Sequence, residues 1–239
     1  MKSIRLLAAA LACAAAFAAT AGEAEIRKNL SARFPQFAKI DEVRKTPIPG
    51  LYEVRVNNAD IFYADEQGNY LVQGEMIDVN ARRNLTEERI SKLNEVAFDK
   101  LPLADAFKMV RGNGKRRLAV FEDPNCGYCK HFEKDLRNVD NVTVYLFLYP
   151  VLGPDSSVKS RNIWCSKDKL KAWNDWMLNE VKPESAAASC DTGAIERNVA
   201  FGRKYNITGT PTLIFSDGTR TPGAIPAAQV EKQLSAAAR

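Results

Sequence analysis

The chain has 239 residues, 46% of them hydrophobic and 26% charged, with 34 Lys and Arg against 29 Asp and Glu and one histidine. A net charge of +5 without long basic runs argues against nucleic acid as a partner, and the clusters "RRN" at 82–84 and "GKRR" at 114–117 read as solvated turns. The length allows one large or two small domains and needs no disulfide stapling to compensate for size.

Residues 1–21, "MKSIRLLAAALACAAAFAATA", join basic Lys2 and Arg5 to an apolar middle and to Ala19-Thr20-Ala21, the form of a cleavable export signal. A single membrane anchor is the competing reading, weakened by the short length and the small residues. Lipid attachment at Cys13 would want a leucine where Ala10 stands, so Cys13 is expected to leave with the signal. Removal of the segment leaves 32 basic against 29 acidic side chains, a net charge of +3. It also leaves four cysteines in a compartment that permits disulfides: Cys126, Cys129, Cys165 and Cys190.

Residues 23–34, "EAEIRKNLSARF", predict a short amphipathic helix ended by Pro35. From 51 to 79 the chain is rich in Val, Ile and Tyr and is punctuated by "VNNAD" and "DEQGN", which predicts three or four short antiparallel strands. Some sixty residues with one helix and a small sheet have little core of their own, so pairing with a second copy would bury the remaining face. Residues 84–101, "NLTEERISKLNEVAFDKL", predict a helix capped by Asn84, with Ile90, Leu93, Val96, Ala97 and Leu101 on one face. Such a helix would span ~25 Å and reads as a connector; an ordinary packed helix within one domain is the alternative.

Beyond Pro102 strands and helices alternate. "RRLAVFED" predicts a strand, 127–138 a helix and "NVTVYLFLYP" a nearly continuous apolar strand. A helical region over about 156–205 follows, then two strands around Asp217-Gly218 and a final helix from Pro226. Strands apolar on both faces indicate a sheet covered on both sides.

Cys126 and Cys129 follow the carboxyl end of a predicted strand, at the N-terminus of the next helix. Free amide groups and the positive end of the helix dipole favour a thiolate on Cys126, which makes it the attacking sulfur and Cys129 the more shielded, resolving one. A zinc or iron–sulfur site would need a second close cysteine pair or histidines, whereas Cys165 and Cys190 are 25 apart and the lone histidine is His131. No metal site and no cofactor are expected. A crosslink across one helical turn closes almost no loop, while a Cys165–Cys190 bond would close one worth ~3 kcal/mol of chain entropy and reads as structural. His131 lies outside the pair and is expected to be exposed. Between the cysteines, Gly127-Tyr128 supplies no cation, which predicts a milder oxidant than a pair with histidine there. On residues alone, Pro211 reads as a trans proline opening an edge strand.

"FEDPNCGYCK", "IWCSKDK", "ASCD" and "GTPT", in this order, resemble the DsbC/DsbG family of bacterial periplasmic disulfide isomerases, and the likeness extends through "GLYEV" and "QGEMIDV" in the N-terminal half. The resemblance implies an α+β N-terminal dimerisation domain over 22–81 (a small antiparallel sheet plus a helix) and a linker helix over 82–103. An α/β thioredoxin-like domain with a helical insertion would follow over 104–239. It implies a V-shaped homodimer with the cysteines facing a shared cleft. Cys126 and Cys129 match the family's redox pair, Cys165 with Cys190 its second disulfide, and Thr210-Pro211 its threonine and cis-proline beside the site. Implied partners are misfolded exported proteins with wrong disulfides and, as electron donor, a membrane reductase of the DsbD type. Two alternatives use the same molecule differently: reduction of cysteine sulfenic acids, as implied for DsbG, and a holdase chaperone in which cleft binding outweighs the thiols.

Overall fold

The computed structural model describes residues 22–37 and 39–238; the expected export signal and Cys13 lie outside the described residues. The chain divides into two compact units, one ending at Leu93 and one beginning at Asn94.

The first unit opens with helix α1, residues 22–33, which buries Ile26 and Leu30 at i, i+4 and stops before Pro35. A four-stranded antiparallel sheet follows in the order β1-β2-β3-β4: β1 Ile40–Lys45, β2 Leu51–Val56, β3 Asp60–Asp65 and β4 Leu71–Val72. Strand β1 is not foreseen above. Its charged run "DEVRK" hides a single deeply buried apolar residue, Val43, which faces Val54 across the ladder. The turns fall where the sequence placed them, with Asn57, Asn58 and Gly68 at positive φ. The core joins Ile26 and Leu30 to Val43, Tyr52, Val54 and Ala64.

Strands β5, Ile77–Asp78, and β6, Arg83–Asn84, form a small hairpin leading into helix α2, Leu85–Leu93. Asn84 caps this helix, its side-chain oxygen accepting the Glu87 N–H at 3.1 Å, as expected. The helix is half the expected length. Val96 and Leu101, read as its continuing apolar face, instead sit in an irregular segment of the second unit, 1% and 5% exposed, and Val96 N–H donates to Gly218 O at 3.0 Å. The second core therefore overrides local helical preference.

The second unit is a five-stranded sheet in the order β11-β10-β8-β9-β7. Its strands are β7 Phe107–Arg111, β8 Arg116–Glu122, β9 Val142–Leu148, β10 Thr212–Phe215 and β11 Arg220–Pro222. The central β8 and β9 run parallel, joined through helix α3, Gly127–Leu136; β7 and β10 flank them antiparallel. Both faces are covered. Leu118 and Val120 point into one apolar layer with Phe132 and Leu136, while Ala119 and Phe121 point into the other with Phe147 and Ile214.

Three helices form the region between β9 and β10: α4 Pro154–Trp164, α5 Lys169–Asn179 and α6 Gly193–Lys204. Helix α6 lies so close to the sheet that a Cβ on Gly202 would meet the Tyr149 ring at 2.4 Å. Arg197 of α6 holds buried Asp105 with two hydrogen bonds, at 2.9 and 2.6 Å. Helix α7, Ala227–Ala237, closes the fold with Val230 and Leu234. No helix among the described residues is long and apolar enough to cross a membrane.

Candidate active site

Strand β8 delivers the chain to Asp123-Pro124-Asn125, and Cys126 then stands at the N-cap of α3 with extended backbone, φ −75° and ψ 116°. Its sulfur does what a serine oxygen does at such a position. The Cys129 N–H donates to Cys126 Sγ at 3.3 Å, satisfying an amide that the helix leaves free. In the thiol form, Cys126 Sγ donates to the Thr210 carbonyl oxygen at 3.2 Å. The Thr210-Pro211 peptide is cis, against the trans geometry that the residues alone favoured. The loop before β10 is thus brought against the cysteine pair over a separation of 84 residues.

The two sulfurs are free thiols with opposed environments. Hydrogen bonding with Cys129 first of all, helped by the Thr210 side chain and the α3 amides, pulls the Cys126 thiol down from 9.0 to about 6 against the opposing effect of burial. Cys129 is fully buried, and burial, its hydrogen bond to Cys126 and the charge of Glu122 push its thiol far above the ordinary range. Between them Tyr128 is 74% exposed, and a Cβ on Gly127 would meet nothing within 4 Å. His131 points to Asp135 at 3.7 Å and is exposed.

Cys165, at the end of α4, is bonded to Cys190, in the loop before α6. The bond closes the segment that carries α5, and α5 carries two tryptophans that reach the site. Trp176 Nε1–H donates to Pro124 O, and the ammonium groups of Lys130 and Lys159 sit over its ring at 4.4 and 4.6 Å. Trp173 Nε1–H donates to Glu133 Oε1 at 2.8 Å. Among the described residues no cluster of three or more His, Cys, Asp or Glu side chains is arranged to hold a metal.

Three buried carboxyls around the pair escaped the sequence analysis. Asp123 accepts from Asn125 N–H, Val151 N–H, Leu152 N–H and the Ser156 hydroxyl at 2.7–2.9 Å. It thereby fastens the Cys126 loop to the start of α4. Glu122 and Glu133 are each 1% exposed, and neither Glu122 oxygen has a well-formed hydrogen bond. Burial first, and then the facing Glu133, push the Glu122 carboxyl well up; burial also raises Glu133. A signal for Glu133 existed: Cys129, Phe132, Glu133 and Leu136 recur at i, i+3, i+4, i+7, the buried stripe of α3. Nothing comparable marks Glu122, whose neighbours read only as the end of a strand.

Residues 17–87 match the family described as the disulfide bond isomerase protein N-terminal domain, and residues 103–238 match the thioredoxin-like domain. A protein of Bordetella parapertussis named a probable thiol:disulfide interchange protein DsbC is 44% identical over 209 residues, 87% of this chain and 73% of the relative. The thiol:disulfide interchange protein DsbC of Escherichia coli K12 is 30% identical over 223 residues, 90% of this chain and 89% of the relative. Among solved structures, a disulfide interchange protein from Neisseria gonorrhoeae superposes with a TM-score of 0.54 at 37% identity, covering 57% of this chain and 98% of that one.

Proposed function

Because the chain belongs to the DsbC family of thiol:disulfide interchange proteins, we propose that it is a periplasmic disulfide isomerase and reductase with Cys126 as nucleophile and Cys129 as resolving thiol. One observation carries the reading: a capping sulfur whose thiol lies near 6 beside a buried partner whose thiol stays protonated. At pH 7 a thiol of that value is about nine-tenths ionised, so Cys126 is an ambient nucleophile and Cys129 a held reserve.

Cys126 thiolate attacks one sulfur of a wrong disulfide in an exported protein; a mixed disulfide forms and one substrate thiolate leaves. If that thiolate, or another in the substrate, attacks the mixed disulfide at the substrate sulfur, the bonds are rearranged and Cys126 departs reduced. If Cys129 attacks Cys126 Sγ instead, the substrate is released reduced and the pair is oxidised. A donor of two electrons must then restore it, the part expected of a membrane reductase of the DsbD type. Thr210 lines the approach to Cys126 with its backbone carbonyl, and the exposed Tyr128 ring offers apolar surface to an unfolded client.

On this reading residues 22–81 are a dimerisation domain, 82–103 a linker and 104–239 the catalytic domain. The N-terminal family match supports a homodimer, as does an exposed apolar run in the first unit: Tyr70, Val72, Ile77 and Val79 are 75%, 53%, 56% and 78% exposed. Strand β4 pairs through only Tyr63↔Val72 and Ala64↔Leu71, which leaves its outer edge open to a strand from a second copy.

The test is a scrambled-disulfide substrate. Reactivation by the mature protein is expected to vanish in Cys126→Ser and to persist in part, as unresolved mixed disulfides, in Cys129→Ser. Full reactivation by Cys126→Ser would refute the assignment, and suppression of aggregation surviving alone would favour the chaperone reading.

A further inference from the structure

The chain reaches Cys126 through a tight turn. Asp123, Pro124, Asn125 and Cys126 form it, closed by the Cys126 N–H donating to Asp123 O at 3.0 Å. Proline in second place and asparagine in third suit two forms of such a turn, which differ by a half-rotation of the peptide between them. One form needs a positive φ at Asn125, which asparagine adopts more readily than most residues. Asn125 is not among the residues with positive φ, so the structure holds the other form. Exchange of the two leaves the first and fourth residues nearly in place, and neither β8 nor α3 opposes it. The choice falls to whatever grips the middle peptide.

That peptide is gripped at both ends. On its nitrogen side, Asn125 N–H donates to Asp123 Oδ1 at 2.8 Å. On its oxygen side, Trp176 Nε1–H donates to Pro124 O at 2.5 Å. The Asn125 side chain donates to Asp155 Oδ2 at 2.7 Å and to Ser156 Oγ at 3.1 Å. Asp155 pairs in turn with Lys159, whose ammonium lies over the Trp176 ring at 4.6 Å. The contacts therefore close a circuit from Asn125 through Asp155, Lys159 and Trp176 back to Pro124. Lys130 lies over the same ring at 4.4 Å and is held by Glu180 at 3.1 Å. Both cations draw electron density from the indole and make its N–H a better donor. Trp176 is only 9% exposed, so water is no ready substitute for it on the Pro124 carbonyl.

We propose that Trp176 is a positioning residue of the exchange site: its indole N–H selects one form of the 123–126 turn and so keeps the Cys126 sulfur in its capping place. The inference rests on the assignment of Cys126 as the nucleophile. Trp176 acts through the turn rather than on the sulfur. The bond from Cys129 N–H to Cys126 Sγ at 3.3 Å and the contact of Sγ with Thr210 O at 3.2 Å both depend on where the turn sets Cys126 down. In the rotated form Pro124 O and Asn125 N–H lose the partners described, and Cys126 is no longer braced from behind. Its thiolate then has the capping amide for only part of the time.

The test exploits the third place of the turn. Asn125→Gly and Asn125→Ala both remove the side-chain bonds to Asp155 and Ser156, but glycine accepts positive φ freely and alanine resists it. Each is made with Trp176 intact and with Trp176→Phe, which keeps an aromatic ring and loses the N–H. Iodoacetamide alkylation of Cys126 in the reduced mature protein is then followed from pH 4 to 9. With Trp176 intact, the two proteins are expected to react at pH 6 within about twofold of one another. With Trp176→Phe, the Asn125→Gly protein is expected to fall about fivefold behind the Asn125→Ala protein at pH 6, its midpoint displaced upward by about one unit. A ring that merely filled space would cost both proteins alike. Should Trp176→Phe fail to fold, Trp176→β-(3-benzothienyl)alanine, which keeps the shape of indole with sulfur in place of the N–H, decides in its stead. Equal profiles for the two proteins without the N–H, beside a midpoint near 6 in the unaltered protein, would overturn the positioning role and leave the exchange reading standing. A gap just as wide with Trp176 intact would do the same. A Cys126 midpoint near 9.0 in the unaltered protein would overturn the exchange reading and this inference with it.

Discussion

Raising the pH from 5 to 8 should stabilise the reduced protein through Cys126. Its thiol sits at about 6 in the fold against an ordinary 9.0, so the fold prefers the thiolate. The contribution is full above 9, falls as pH drops toward 6 and is nearly gone at 5. Integrating between those values gives a gain of ~2.5 kcal/mol from pH 5 to pH 8. Cys129 adds nothing in that window, because its thiol is protonated in the fold and ionises in the unfolded chain only near 9. The assay is urea unfolding of the mature reduced protein at both pH values, beside Cys126→Ser, which shares the other titrating groups. Trp164, Trp173 and Trp176, the chain's three tryptophans, all lie in the second unit, so their fluorescence follows the unit that holds the site. The stability difference between the two proteins should widen in favour of the unaltered one by that amount. A difference that stays flat with pH, or that widens only above pH 8, would refute the account of the capping sulfur.

Asp123→Ala should destabilise the second unit by ~3–5 kcal/mol, because four donors lose their buried acceptor, and should slow Cys126 alkylation; thermal unfolding and iodoacetamide kinetics read both. The double variant Cys165→Ser, Cys190→Ser should lose ~3 kcal/mol in urea unfolding while the Cys126 alkylation midpoint stays near 6 in the folded protein. Gly202→Ala should cost ~1–3 kcal/mol in thermal unfolding, since the new methyl group drives against the Tyr149 ring and its hydrogen bond to Ile207 O.

The elements legible in the sequence were those whose local pattern and tertiary environment agree. Strand β8 carries the apolar run Leu118–Phe121 because both its faces are covered there, and Cys126 opens α3 because a short polar-tolerant residue belongs at that position. Where the two disagree, the sequence misleads. Val96 and Leu101 have helical spacing, yet Val96 is recruited by Gly218 of the β10–β11 turn, and α2 stops at Leu93. Strand β7 alternates buried Phe107 and Met109 with exposed Lys108 and Val110 over only five residues, too short a run to stand out beside the 3₁₀ turn before it. The carboxyls were the hardest case. A glutamate at a strand end or on a helix reads as solvated, and only the third dimension shows Glu122 and Glu133 walled in together. The cis geometry at Pro211 was likewise beyond the residues alone; the likeness of "GTPT" to the family motif carried that expectation.

The bond between Cys165 and Cys190 gives this molecule a history as well as a shape. The same unit holds one cysteine pair joined and another free, although all four sulfurs lie in one fold. On the proposed function, a working molecule would need oxidant at the first pair and reductant at the second, so its making and its upkeep would draw on opposite sources of electrons.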